Sequence, residues 1–420
     1  MIVIMNYEWT EYQYAIYRVS MNYTTHAIII GGGIGGPAAS LFLRRAGIES
    51  RIFEAYPEPA TIGGGFQIAP NGMRVLNALG LADRVRAAGV TSDSFVFRNK
   101  RGKVISQIDV SGAGYGVTIT RAVFHQILLN EIGQQGVPIE YGKRLYSIEY
   151  EGNLVVARFE DGTVERADML LAFDGVHSRV RALILPDCAS PRYTGFLGIG
   201  GFAEAGSVAP PDPQDAHRLS FGVGSRFQFG YAMVSDAPAR WGWWTHLPQE
   251  QELTRAELQA IPDDVTRDRV LAEFKGWHSP VEALVSNTAK IMRTAIYDVP
   301  SLPRWHVGRV MLLGDAAHAM SPAGGQGASL ALEDAMLVGQ FLADRSVALT
   351  DAFAKAESVQ RLRAEQTVKQ AAENDRRQVK ELGLFGQWIR DRMFPLFTPV
   401  IARQLRRQYV ALEHICTRAA

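Results

Sequence analysis

A glycine-rich turn between a short apolar strand and a helix constrains the fold of this chain more than any other feature. The sequence Gly-Gly-Gly-Ile-Gly-Gly at 31–36 follows directly on the apolar run 27–30, and Glu54 ends a second apolar run 23 positions after the first glycine. This order of strand, turn, helix, strand and acid is typical of the opening βαβ unit of a dinucleotide-binding domain. We therefore predict a helix over 34–46, a stop at Gly47 and an α/β fold.

Each part of this turn has a physical role in binding a pyrophosphate. Gly31 permits the tight turn, Gly33 lets the backbone approach the phosphates, and Gly36 lets the helix pack against the strand. The helix N-terminus offers unpaired N–H groups and a partial positive charge. Glu54 is placed to accept hydrogen bonds from ribose hydroxyls. The alternative is a strand–helix turn without a ligand, and the motif by itself does not distinguish FAD from NAD.

Two later motifs help to distinguish FAD from NAD as the expected ligand. Residues 174–181 read Asp-Gly-Val-His-Ser-Arg-Val-Arg, and residues 314–318 read Gly-Asp-Ala-Ala-His, followed by Gly-Gly-Gln-Gly at 324–327. A carboxylate at the end of a strand, as predicted for Asp315, can accept hydrogen bonds from the hydroxyls of a bound polyol. The glycines after it let backbone N–H groups approach a ring edge on which negative charge develops. The alternative for Asp315 is a carboxylate that only caps a helix.

The three motifs in this order resemble those of the flavin-dependent aromatic hydroxylases. These single-component FAD monooxygenases include p-hydroxybenzoate and salicylate hydroxylases, zeaxanthin epoxidase and the tetracycline-inactivating monooxygenases. The resemblance covers about residues 21–353. It implies bound FAD, NADPH or NADH as a transient electron donor, and insertion of one oxygen atom from O2 into an aromatic or polycyclic small molecule through a C4a-hydroperoxyflavin. It also implies a Rossmann-like FAD-binding domain with an inserted antiparallel-sheet substrate domain and a C-terminal helical segment.

The resemblance further implies which residues contact the cofactor. Arg121 opens a helix and reaches the phosphates, which suits a guanidinium group, and the backbone at Leu145 meets the adenine. Asp174 serves both FAD and the transient nicotinamide, whereas Asp315 contacts the ribityl chain. The predicted cofactor-binding set is Gly31, Gly33, Ile34, Gly35, Gly36, Glu54, Ala55, Arg121, Leu145, Asp174, Asp315, Gly325, Gln326, Gly327 and Ala328.

Strand alternation predicts the substrate pocket. Phe229 and Tyr231 share one face of a strand, and Trp243 alternates in the same way on the next strand. An aromatic face over the flavin suits a planar apolar substrate, and the resemblance adds Pro322, which faces the isoalloxazine. The alternative is that these aromatic side chains form the hydrophobic core of the sheet.

Histidines are the candidates for acid–base chemistry. His246 and His217 lie in the predicted substrate domain, where a histidine can accept a proton from a phenol. His318 belongs to the third motif, and we leave it out because a packed and hydrogen-bonded histidine explains it equally well. We predict no metal site and no further catalytic residue, since in this family the flavin carries the reactive group.

The pattern along the chain predicts its division into segments. Short alternating strands from about residue 186 predict an inserted antiparallel sheet, and a hairpin within 90–110 is predicted to contribute to it. The first twenty residues lack the features of a signal peptide and are expected to be a disordered leader. The predicted organisation is a leader at 1–20, an FAD-binding domain at 21–185 and 297–350, a substrate domain at 186–296, and C-terminal helices at 351–420.

Composition argues against several classes of partner. The net charge is +1 and the basic residues are scattered, so we predict no nucleic-acid partner. No apolar run approaches the roughly 18 residues of a membrane-spanning helix. The two cysteines are too few for a disulfide framework, and their scarcity predicts a cytoplasmic protein.

The tail at 382–409 combines apolar and aromatic residues with several arginines. A segment of this kind usually packs its apolar stripe on its own domain or on a partner subunit, and the second arrangement gives a homodimer. The alternative is that the segment lies on a membrane surface.

Two other functions compete with monooxygenation. Flavin-dependent halogenases share the FAD fold but carry a Trp-x-Trp-x-Ile-Pro stretch, and the nearest segment here, Trp-Gly-Trp-Trp-Thr-His-Leu-Pro at 241–248, has a different spacing. A flavin-binding protein without oxygenase turnover is the alternative from a different class. The prediction that the three motifs favour is an oxidoreductase whose product gains one oxygen atom.

Overall fold

The computed structural model describes residues 25–59, 63–188, 190–209, 212–379 and 381–419, and the predicted leader at 1–20 lies outside them. The strands are β1 (His26–Ile30), β2 (Glu49–Phe53), β3 (Gly65–Ile68), β4 (Val90–Ser92), β5 (Ser94–Asn99), β6 (Val104–Asp109), β7 (Gly116–Thr120), β8 (Ile139–Glu140), β9 (Leu145–Glu151), β10 (Leu154–Phe159), β11 (Val164–Ala167), β12 (Met169–Ala172), β13 (Arg192–Glu204), β14 (Leu219–Val223), β15 (Gln228–Asp236), β16 (Ala239–Pro248), β17 (Ile291–Asp298), β18 (His306–Val307) and β19 (Val310–Leu312). The α-helices are α1 (Gly35–Arg45), α2 (Pro70–Ala78), α3 (Ala82–Ala88), α4 (Arg121–Gln134), α5 (Arg179–Ile184), α6 (Arg255–Ala260), α7 (Asp263–Glu273), α8 (Val281–Ser286), α9 (Asp315–His318), α10 (Gly327–Ala343), α11 (Leu349–Val379), α12 (Leu384–Val410) and α13 (Glu413–Ala419).

A six-stranded sheet in the order β18-β19-β12-β1-β2-β8 lies at the centre of the nucleotide-binding part. β1 pairs in parallel with β2 on one side and with β12 on the other. Ile29 packs under helices α1 and α10, whereas Ile28 and Ile30 pack against β9 and β10 on the opposite face. Because both faces of the sheet are covered, β1 consists almost entirely of apolar residues. The predicted α/β fold with its opening βαβ unit is confirmed.

A second, seven-stranded sheet has the order β17-β13-β16-β15-β14-β5-β6. Its pairs are antiparallel except for β14 and β5, which run in parallel. The predicted antiparallel sheet is confirmed, and the pair of β14 with β5 is its parallel exception. The direction in which the distant hairpin β5–β6 enters the sheet depends on a long-range contact, and local alternation carries no information about it.

The two faces of this sheet have different surroundings. One face packs its aromatic residues against α6, α7 and α8 in a closed core. The other face contacts the nucleotide-binding part, where a Cβ placed on Gly65 of β3 would lie 2.8 Å from Val234 and 3.3 Å from Phe202. The second face therefore borders the space between the two sheets.

The C-terminal helices connect both parts of the molecule. α12 crosses β5 and β6, where the rings of Phe394 and Phe97 meet edge-on at 5.1 Å and the hydroxyls of Thr398 and Ser106 lie 2.6 Å apart. The predicted packing of this tail on its own chain is confirmed for this face of the helix. None of the helices in the described ranges has the combination of length and apolarity that crossing a bilayer requires.

A buried carboxylate holds three helices together. Glu333 of α10 is 1% exposed and accepts hydrogen bonds from Asn71 of α2 at 3.0 Å and from Gln360 of α11 at 3.1 Å. Arg363 of α11 donates to the same carboxylate at 2.8 Å. The hydrogen bonds of the Glu333 carboxylate position α10, whose N-terminus belongs to the candidate site described below.

We predict that Glu333→Ala lowers the free energy of unfolding by about 3 kcal/mol, because it leaves Arg363 and two buried amides without their acceptor. Urea-induced unfolding measures the change. Glu365→Ala on α11 is the matched control, because Glu365 forms a partly exposed ion pair with Arg361. Loss of this ion pair should lower the free energy of unfolding by less than about 1 kcal/mol. Equal costs for the two variants would contradict the assigned role of Glu333.

Candidate active site

The three sequence motifs meet around one residue, Phe173. A Cβ on Gly31, whose φ is +108°, would lie 2.2 Å from the carbonyl oxygen of Phe173. A Cβ on Gly35 would lie 2.3 Å from the phenyl ring, and one on Gly314 would lie 3.5 Å from the same ring. Two of these three glycines are therefore needed for the fold itself, because any side chain there would overlap Phe173.

Gly33 differs from the other glycines of the turn. No atom lies within 4 Å of the position that its Cβ would occupy, and its φ is not in the left-handed region. Helix α1 begins beside it, and the N-cap residue Ile34 provides no side-chain hydrogen bond. The first N–H groups of α1 are thus free to bind an anion. This open, uncapped turn has the properties that a pyrophosphate requires.

Glu54 lies beside the turn, as predicted. Its carboxylate accepts hydrogen bonds from the backbone of Gly32 at 2.7 Å and of Tyr56 at 2.9 Å. Ala55, the next predicted residue, lies between Glu54 and Tyr56 in the chain. A carboxylate can accept further hydrogen bonds, so ribose hydroxyls still fit here.

Helix α4 supports the turn from the other side. Its first residue, Arg121, donates its backbone N–H to Gly64, and its side chain is exposed. One turn later, Nε2 of His125 lies 2.6 Å from the carbonyl oxygen of Gly32. Burial lowers the pKa of His125, which favours the neutral ring. Sequence reasoning did not find His125, although its spacing of four from Arg121 places both residues on one helix face.

Leu145 and Asp174 occupy the edges of this region. Leu145 starts β9 and is buried. The Asp174 carboxylate accepts from the Ser178 hydroxyl at 2.6 Å and from the Val180 N–H at 3.0 Å, and burial raises the pKa of Asp174. Its oxygens therefore hold the turn of the second motif in shape. Arg181, at the end of this motif, donates to the Ala316 carbonyl at 2.8 Å and fastens the second motif to the third.

Asp315 is the first residue of α9, and its side chain is exposed. Within the described part of the chain its carboxylate accepts no hydrogen bond, and it caps no helix. Oδ1 lies 3.9 Å from the position that a Cβ on Gly327 would occupy, beside the start of α10. Gln326 gives that helix no side-chain cap, and Gly325 has a left-handed backbone with φ +62°. Asp315 and the α10 N-terminus are thus available to a ligand.

His318 has a structural position. It is buried, and its Nε2 lies 2.7 Å from Oδ2 of Asp334, which also accepts from the Gly314 N–H at 2.6 Å. Burial by itself lowers the pKa of His318, but the charge of Asp334 and its hydrogen bond raise it above the ordinary value. This pair holds the strand–helix turn that presents Asp315.

The aromatic residues predicted to line a substrate pocket lie in the closed core. Phe229 stacks on Trp243 with ring centroids 5.4 Å apart, and Tyr231 is fully buried in the same cluster under α6, α7 and α8. These positions do not support the predicted pocket, because the side chains have no open surface toward a ligand. Alternation showed which residues share a face but not which face is the core. Pro322 is exposed on the loop after α9.

The two candidate histidines are far apart. His217 is exposed in a 3₁₀ turn at Pro213–His217, beside Asp93 and Gln107 at the outer end of the hairpin β5–β6. His246 is buried on β16, on the face of the sheet that borders the nucleotide-binding part. Only His246 therefore lies toward the site.

This parallel sheet with an uncapped glycine turn, a ribose-side acid and a second uncapped helix defines a dinucleotide-binding oxidoreductase. The space at Gly33 and the free carboxylate of Asp315 fit FAD. A family profile described as "FAD binding domain" matches residues 24–371, and the chain belongs to this family. Its relatives are FAD-dependent aromatic monooxygenases, and the predicted FAD monooxygenase class is confirmed.

Individual relatives support this placement. The chain is 31% identical over 338 residues to 6-hydroxynicotinate 3-monooxygenase of Pseudomonas fluorescens, covering 77% of this chain and 83% of the relative. It is 32% identical to aurachin C monooxygenase/isomerase of Stigmatella aurantiaca, covering 86% and 89%. The crystal structure of Klebsiella pneumoniae HpxO in complex with FAD and uric acid matches with a TM-score of 0.76 and 25% identity, covering 95% of this chain and 98% of HpxO.

We predict that Gly33→Val leaves the protein folded but weakens FAD binding by at least about tenfold, roughly 1.4 kcal/mol. The valine fits within the protein fold, since nothing lies near its Cβ, but it fills the space that the pyrophosphate needs. Flavin absorbance after purification and the melting temperature measure the two effects. Gly133→Val, at another uncrowded glycine, is the control and should retain FAD. Normal FAD content in Gly33→Val would refute the phosphate-binding role.

Proposed function

We propose that the FAD-loaded chain consumes NADPH or NADH and inserts one atom of O2 into an aromatic or polycyclic small molecule. The observation that carries this proposal is the meeting of all three motifs around Phe173, which brings the free α1 N-terminus and the turn before Asp315 together. Bound FAD supplies the electron transfer and the oxygen activation, with the C4a-hydroperoxyflavin as the expected oxygen donor.

The residues of the chain have binding and electrostatic roles in this proposal. The N–H groups at the start of α1 bind the pyrophosphate, and Glu54 and Asp315 accept hydrogen bonds from the ribose and the ribityl chain. The positive end of α10 faces the flavin pyrimidine and stabilises the negative charge that reduction places there. The free face of the seven-stranded sheet covers the cavity and keeps water away from the reacting groups.

The names of the relatives support an aromatic substrate. They include monooxygenases of 6-hydroxynicotinate and of 3-amino-4-hydroxybenzoate and a urate hydroxylase. These compounds are planar rings with hydroxyl, amino or ring N–H groups. The described residues contain one glycine-rich βαβ turn of this kind, which favours a nicotinamide donor that binds transiently.

We further propose a cytoplasmic location. Cys188 and Cys416 are both free thiols. Free thiols persist in a reducing compartment.

The test is a screen of hydroxylated aromatics for stimulated NADPH and NADH oxidation by the FAD-loaded protein. We expect at least one compound to accelerate oxidation and to gain one oxygen atom from isotopically labelled O2, as measured by mass spectrometry. Gly33→Val without FAD is the negative control. A halogenated product that depends on chloride, or the absence of any stimulated oxidation, would contradict the proposal.

We also propose that α12 forms the interface of a homodimer. Its outward face carries apolar side chains at spacings of three and four residues. These residues, between 39% and 73% exposed, are Phe385, Ile389, Met393, Leu396, Phe397 and Val400. Glu381 lies at one end of this stripe, and Arg403 and Arg407 lie at the other. Antiparallel pairing about a two-fold axis therefore brings the acidic end of one copy to the basic end of the other.

Light scattering should give a mass twice that of one chain for the wild type and a single-chain mass for Ile389→Glu with unchanged FAD content, because the charge cannot be buried in an apolar interface. Leu362→Glu on α11, which is 66% exposed outside the stripe, should remain a dimer. A monomeric wild type would contradict the proposal, and binding of that monomer to anionic vesicles would assign the stripe to a membrane surface instead.

A further inference from the structure

A buried histidine–aspartate pair joins the seven-stranded sheet to the long C-terminal helix. Nδ1 of His246 on β16 lies 3.5 Å from Oδ1 of Asp375 on α11, and the two side chains are 8% and 4% exposed. Neither carboxylate oxygen of Asp375 accepts a hydrogen bond from the described residues. A buried carboxylate without donors is costly. A positive charge on the neighbouring imidazole therefore stabilises this carboxylate.

His246 lies on the free face of the sheet. It is directly opposite Gly198 of β13, and its neighbour on the same face, Trp244, is opposite Gly200. Both glycines are half-buried, and a Cβ on Gly198 would lie 3.2 Å from Thr294 and 3.5 Å from Ile296 of β17, so these two side chains bound the surface beside the imidazole. Trp243, between the two, points into the closed core on the other side. This face of the sheet, which carries Trp244, His246 and the two glycines, forms the floor of the proposed site.

Asp375 is close to the loop that follows Asp315. A Cβ on Gly324, in the turn Pro322–Gly324, would lie 3.1 Å from the Cβ of Ala371 on α11. Asp375 follows Ala371 by four residues, about 6 Å along the helix axis. Under the proposed function, Pro322 faces the isoalloxazine ring. The pair therefore lies at the edge of the space between the flavin loop and the floor of the sheet.

We propose that His246 accepts the proton of a ring hydroxyl on the aromatic substrate and that Asp375 is a positioning residue. The substrate O–H bond breaks, its electron pair stays on the oxygen, and a new N–H bond forms at Nε2, on the side of the ring away from Asp375. The carboxylate facing Nδ1 stabilises the resulting imidazolium. The oxyanion raises the electron density of the ring carbon that receives oxygen.

This assignment rests on the proposed function and names its substrate class. The substrate is a phenol or a hydroxylated nitrogen heteroaromatic, because an arene without an ionisable group gains nothing from the base. Trp244 and the glycine floor suit a planar ring, and the proton acceptor lies at its edge.

The test uses binding to the FAD-loaded protein without NADPH, so no turnover is involved. The probe is 4-nitrophenol, whose phenolate absorbs at longer wavelength than the phenol, at a pH below its own pKa. We expect the wild type to bind it with a phenolate band. In His246→Gln the bound phenolate fraction should fall by about tenfold, one pKa unit. Asp375→Asn should give an intermediate loss, since the base is present but less well stabilised.

Controls separate this role from a general loss of structure. The methyl ether 4-nitroanisole has no proton to lose, so its affinity should be equal in the wild type and His246→Gln. His217→Gln, at the exposed histidine, should leave the phenolate band unchanged, and FAD content should match the wild type in all variants. Failure of the wild type to bind 4-nitrophenol as phenolate, or an unchanged band in His246→Gln, overturns the assignment of His246. Those results leave the proposed function standing if the oxidation screen succeeds, whereas a failed screen rejects that function separately.

Discussion

The contact that the β1–α1 turn and the turn before α9 make with Phe173 is the constraint on which the rest of the site depends. Its carbonyl leaves no space for a side chain on Gly31, and its ring leaves none on Gly35. A side chain at either position would push the β1–α1 turn away from the strand end that precedes the second motif. Arg181 adds a buried hydrogen bond from the second motif to the third. Chain segments far apart in sequence thus meet around Phe173.

The glycines of the first motif do not share one role. Those beside Phe173 are required by packing, whereas Gly33 has free space around it and no positive φ. Packing within the protein therefore gives no reason for its small size. The two acids differ in the same way. The Asp174 carboxylate accepts hydrogen bonds from its own turn, whereas the Asp315 carboxylate accepts no hydrogen bond from the described residues. Packing thus accounts for some members of each motif, and the members that it leaves unexplained are those that we propose to bind FAD.

The seven-stranded sheet divides its residues by face in a similar way. Large aromatic side chains such as Phe229 and Trp243 fill the core under three helices. The opposite face has glycines at Gly198 and Gly200 and borders the nucleotide-binding part. The bulky residues stabilise the sheet, whereas the glycines add no side chain to the face that borders the nucleotide-binding part. Aromatic content alone is therefore a poor guide to a pocket, because core packing and ligand binding both favour large rings.

The sequence by itself determined the βαβ unit, the order of the three motifs and the FAD-binding family, because glycine and carboxylate spacings of this kind encode local backbone geometry. It also predicted the hairpin β5–β6 and the packing of one face of α12. It did not reveal the parallel entry of β5, the core face of the aromatic strands, or the pairing of His246 with Asp375. Those features depend on which distant segments meet, and only the tertiary structure decided them because strand alternation and helix periodicity are the same whichever face is buried.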